Sequence, residues 1–204
     1  MGENATDSRT AAGASAQGLG SGSGLNTDAG QATPLADPQI VSVLSNINAG
    51  AIERGTIALE SAQAATVRAL AQELIDTRLA GQERLTRLVA ATSFSEAVHV
   101  TNAENAVSHA LQERSKDIVA RLQATAGARF DALFLRAELD VFSTTLQVID
   151  ERLLPSVQNV LVRAEIDRVR AETIVLSQRT RALQAVLGEP DDADGGVSDV
   201  DAGF

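Results

Sequence analysis

Between Asp37 and Leu187 apolar residues recur at alternating spacings of four and three, the period that draws one stripe along an α-helix. The first stripe runs Ile40, Leu44, Ile47, Ala51 and then, less cleanly, to Ala58. A second runs Val67, Ala71, Leu74, Arg78, Gly81, Leu85, Leu88. Two more follow further on: Leu135, Leu139, Phe142, Leu146, Ile149, Leu153, and then Val162, Ile166, Val169, Thr173, Leu176, Thr180, Leu183. A looser pattern (Val100, Ala103, Val107, Leu111, Ile118, Leu122) lies between them. These stripes predict helices at about 38–61, 65–91, 95–124, 128–153 and 156–187. Asp37-Pro38 is a start signal, a capping carboxylate ahead of a proline that needs no N–H in the first turn. Beyond it only Pro155 breaks a chain of good helix formers. The fold class is therefore all-α, an antiparallel four-helix bundle packed at shallow angles, with the looser helix as an additional connecting helix.

The flanks are different in kind. Residues 1–36 are rich in Gly, Ala, Ser and Thr, with Gly-Leu-Gly-Ser-Gly-Ser-Gly at 18–24, and read as a disordered tether. Residues 189–204 read as an acidic disordered tail, which leaves 37–188 as the bundle domain. The net charge of −10 belongs largely to these flanks. Glu189 to Phe204 carries six acids and no base, and the bundle itself is nearly neutral. That balance, with five Phe and no Trp or Tyr for base stacking, excludes nucleic-acid binding. The absence of Cys excludes disulfides, thiolate metal sites and cysteine nucleophiles. No apolar run is long enough to span a bilayer.

Several positions match a pattern of a known family. Asp37-Pro38-Gln39-Ile40, then Asn48, Ile52 and Ala58, then Val67-Arg68-x-Leu70-Ala71-Gln72-x-Leu74-Ile75 resemble the opening of the bacterial family called domain of unknown function 4142. Phe130-Asp131-x-x-Phe134-Leu135 is similar to that family's FDxxY[LM] motif. The resemblance implies a ferritin-like fold, which agrees with two helical pairs joined by a long crossover. It also implies a bacterial envelope or periplasmic location. Met1-Gly2 followed by a small-residue tether would suit a lipoprotein whose lipid anchor lay upstream of Met1; a cytoplasmic protein is the alternative.

In that family the resemblance implies a metal site built from a Glu in the first helix, Asp-His in the second and one His in each of the last two. Here those positions are Ala51, Arg78 (after Thr77), Phe142 and Thr173. None of the four is a good ligand, so the expectation is a vestigial site with no metal, no other cofactor and no catalytic residue. The chain has no Glu-x-x-His, and His99 and His109, ten apart, cannot share a face as an i, i+4 pair. Two readings of Arg78 stay open: a buried ion pair with Glu138 and Glu172 in the vacated space, or a side chain that snorkels to solvent.

Three functions compete. The first is a non-catalytic binding or structural module of the envelope, acting through an unknown protein partner or self-association. The second is an iron or manganese metalloprotein with a rearranged carboxylate site drawn from Glu53, Glu73, Glu138 or Glu172. The third is an apolar-ligand carrier using space left by Ala51 and Gly81. Serine-hydrolase and phosphate-loop readings fail, because neither His has motif context and the Gly-rich run has no following Lys.

Overall fold

The computed structural model describes residues 33–92 and 105–187. The sequence expectations for the rest of the tether, for the acidic tail, and for Val100, Ala103 and His99 lie outside the described residues. Five helices make up the described chain: α1 (Asp37–Ser61), α2 (Ala65–Thr92), α3 (Ala106–Gln123), α4 (Ala128–Val148) and α5 (Val160–Leu187). α4 runs on into a wider π-type turn, Ile149–Leu153.

Cross-helix pairs give the directions. Ser45 meets Gln82 while Gly55 lies against Ile75, so α1 and α2 are antiparallel. Arg84 meets Glu165 while Glu73 meets Arg179, so α2 and α5 are antiparallel as well. α4 and α5 pack against each other beyond the Pro155 turn, and α3 lies on α1, parallel to it, with a short edge on α4. The result is a helical bundle.

The helix starts differ from the sequence expectation in informative ways. Ala36, not Asp37, occupies the cap of α1. The Asp37 carboxylate instead accepts the N–H groups of Gln158 and Asn159 at 3.0 Å each, so it pins the loop ahead of α5. Asn159 then caps α5, accepting from Leu161 N and Val162 N, and the helix begins at Val160, four residues later than expected. Asn105 does the same for α3 through Val107 N and Ser108 N, which sets its start at Ala106. A competing side-chain acceptor decides each boundary. Leu35, assigned to the tether, is buried in the core.

The buried stripes of α1, α2 and α5 follow the expected positions, with Leu88 and Leu183 half-buried. On α4 the stripe is rotated. Leu139 and Leu146 are half-buried, and Glu138 and Thr145 take the interior places beside Leu135, Phe142 and Ile149. The apolar core falls into two clusters. One, near the α1–α2 turn, holds Ala51, Leu74, Phe130, Phe134, Phe142 and Leu176. The other, toward the far end, holds Leu44, Ile47, Leu85, Ile149, Ile166 and Val169. Between them on the four helices stand Asn48, Arg78, Thr145 and Thr173, all at least 98 % buried.

Candidate functional site

This polar layer is where the interior chemistry of the bundle lies. Arg78 is 1 % exposed, which settles the two readings left open by the sequence: its guanidinium does not reach solvent. Nη2 donates to Thr173 Oγ1 at 2.9 Å, and Thr173 in turn donates to Val169 O at 2.7 Å. Arg78 Nε and Nη1 have no hydrogen-bond partner, and neither does the Asn48 side-chain amide at either atom. Burial pushes the Arg78 guanidinium down to about 10, a depression opposed only in part by the fields of Glu172 and Glu138.

The expected ion pair of Arg78 with Glu138 and Glu172 is not formed. Glu138 is taken by Arg54, whose Nε donates to Oε1 at 2.6 Å and whose Nη2 donates to Oε2 at 3.3 Å. Both partners of this bridge are at least 97 % buried. Arg54 Nη1 also donates to Ser115 Oγ on α3 at 3.1 Å. Glu172 is taken by Arg84, which grips Glu165 with Nε and Glu172 with Nη2. Desolvation holds the Glu165 carboxyl above the usual carboxylate range, against the pull of Arg84. Three arginines thus face three glutamates in the interior and at its edge, where Arg84 and Glu172 are partly exposed, and two of the arginines take all three carboxylates. A signal for Arg54 was present in the sequence: it stands at the seam position between Ala51 and Ala58, where the first stripe loses its regularity.

Ala51, Phe142, Arg78 and Thr173 are all buried. Ala51 and Phe142 belong to the same apolar cluster, Arg78 bonds Thr173, and the register of the Asn48–Gly81 and Arg54–Glu138 contacts sets Ala51 opposite both Arg78 and Phe142. Of the carboxylates named for a rearranged metal site, Glu53 is exposed and Glu73 is paired with Arg179 on the outside. His109 is exposed. Among the described residues no three His, Asp or Glu side chains converge as a ligand group. A divalent cation needs several free anionic or imidazole donors. A methyl, a phenyl, an uncompensated guanidinium and a hydroxyl do not fit one, and the nearest carboxylates are already bonded to arginine.

Nor does Gly81 open space for an apolar ligand. A Cβ there would sit 3.0 Å from Asn48 Nδ2, so the glycine admits the Asn48 amide into the helix interface.

The Phe130-Asp131-x-x-Phe134 motif is a clamp. The Asp131 carboxylate accepts from Gln63 N at 2.9 Å and Ala64 N at 2.7 Å, and so holds the α1–α2 turn from α4. Phe130 and Phe134, fully buried, stack with ring centroids 6.3 Å apart directly beneath it. The motif therefore fixes one end of the bundle.

The family model for Domain of unknown function (DUF4142) matches residues 23–182. The chain belongs to that family. No curated protein and no solved structure matches it. In this DUF4142 protein Phe130, Asp131 and Phe134 fix one end of the bundle, and a buried arginine stands in the interior layer. No helix of the described residues is long and apolar enough to cross a membrane.

Proposed function

We propose that this DUF4142 chain is a non-catalytic, ferritin-like bundle, an envelope-associated module that works by binding a protein partner or by self-association. The ferritin-like reading is supported by two antiparallel pairs, α1 with α2 and α4 with α5, linked through a connecting helix. The envelope location is supported by the family resemblance. The observation that carries the non-catalytic reading is the arginine occupancy of the interior. Arg54 and Arg84 hold Glu138, Glu165 and Glu172, and Arg78 fills the polar layer. A guanidinium repels a divalent cation, and a carboxylate bonded to arginine must give up that bond before it can ligate.

The test is metal analysis of protein purified without chelator, with calorimetric titration of ferrous and manganous ions. The expected outcome is no stoichiometric iron, manganese or zinc and no ferroxidase turnover. Tight binding of one or two equivalents would replace this reading with the alternative, a metalloprotein that frees Glu138 and Glu172 from arginine on loading.

A further inference from the structure

Beside the polar layer, which shares Thr145 with it, α1, α3 and α4 line a small, partly open cavity of about 30 Å³. Its polar wall consists of Asn46, Arg54, Arg114, Ser115, Thr144 and Thr145, with no carboxylate among the lining side chains. Two N–H donors on these side chains are buried and unpartnered: Asn46 Nδ2 and Arg114 Nε. The Asn46 amide is oriented by its other atom, since Oδ1 accepts from Gln112 Nε2 at 3.0 Å. Arg114 is held from outside by Asp140 through Nη2, and Arg54 by Glu138. Ser115 Oγ accepts from Arg54 Nη1, which leaves its own proton free to donate.

We infer that this cavity is a binding site for a small monovalent anion of halide size. An acceptor is what two orphan donors, a free hydroxyl proton and two guanidinium edges call for. Water could accept two of these bonds, with only the hydroxyl oxygens of Ser115, Thr144 and Thr145 to take its own protons, whereas a halide needs no acceptor. The volume has room for about one or two water-sized groups, which a single halide ion can fill. Gly50 forms part of the wall. A Cβ there would sit 2.7 Å from Ser115 Oγ and 3.1 Å from Arg54 Nη1, so any larger residue displaces the hydroxyl. An anion here would tie α3 to α1 and α4.

Bromide is the probe. Thermal unfolding of the full chain, followed by circular dichroism, is compared in bromide and gluconate at constant ionic strength. Bromide-soaked crystals are examined for anomalous density. The expected result is a higher Tm in bromide and a peak within hydrogen-bond distance of Asn46 Nδ2 and Arg114 Nε. Asn46→Leu and Arg114→Met should each weaken bromide binding about tenfold or more. Arg114 is partly exposed, so the second variant remains informative if the first does not fold. Equal Tm values in the two salts, water alone in the cavity, or an equal rise with sulfate and in both variants would overturn the assignment. Such a general rise would be a bulk salt effect.

Discussion

Replacing Arg78 with Met should stabilise this protein. Burial holds the folded-state value near 10, well below that of free arginine, so the charged form is penalised in the fold. At about 1.4 kcal/mol per pH unit, the penalty is on the order of 3 kcal/mol. The substitution gives up one hydrogen bond, Nη2 to Thr173, worth about 1–2 kcal/mol. Thr173 keeps its bond to Val169 O, so no new orphan is created there. Two existing orphans, Nε and Nη1, disappear. Methionine is unbranched and adaptable, and its burial next to Leu74 and Leu176 adds apolar contact. The net gain should be about 1–3 kcal/mol at neutral pH.

The sign of the pH dependence follows. For a base whose folded value is depressed, the penalty is fully present below the folded value. It fades as pH rises above about 10 toward the higher pH at which unfolded arginine also loses its proton. The advantage of Arg78→Met should therefore be flat between about pH 6 and 9 and shrink above about 10. Urea unfolding followed by far-ultraviolet circular dichroism measures it, with an unchanged m-value as the check on two-state behaviour. A loss of 2 kcal/mol or more at neutral pH would refute the reasoning, because the charge would then be compensated by something other than the fields of Glu138 and Glu172.

The buried bridge should behave in the opposite way. Arg54→Met or Glu138→Leu alone should cost about 3–5 kcal/mol, while the double variant returns to within about 1 kcal/mol of wild type, as a urea-unfolding double-mutant cycle would show. Asp131→Ala should cost about 1–2 kcal/mol and speed hydrogen exchange at the Gln63 and Ala64 amides, with α3 amides unaffected. Phe142→His with Arg78→His should not create a tight iron site by calorimetry unless Ala51→Glu is added, since two imidazoles leave most of the coordination shell open.

How much of this was legible in the sequence depends on what each interaction requires. The stripes of α1, α2 and α5 were readable because burial of a helix face imposes its period on every turn, so many residues vote for one phase. α4 was read one position out because two interior places hold Glu138 and Thr145, which a search for apolar spacing passes over in favour of their neighbours Leu139 and Leu146. The start of α5 was misplaced for a related reason. Asp37 has the chemistry of a cap, and it is one, but for the loop entering α5, more than a hundred residues away. Periodicity identifies a face; it does not say which distant N–H a carboxylate will find.

The same limit explains the interior charges. The sequence put Arg78 in phase with Leu74, Gly81 and Leu85, which left burial and snorkelling both open; the packing of its neighbours on the stripe carries it inward. Its partner was not legible. Arg54, Arg78 and Arg84 all lie within reach of the interior from two adjacent helices, and the sequence offers three glutamates in the facing pair. The assignment turns on reach and geometry: Arg54 approaches Glu138 across the antiparallel α1–α4 contact, and Arg84 spans one helical turn pair on α5 from Glu165 to Glu172. Arg78, level with Thr173, meets a hydroxyl. A carboxylate one turn closer would have compensated the charge; a hydroxyl satisfies one of its donors and leaves Nε and Nη1 unpartnered, so the polar layer is the part of the core least explained by stability.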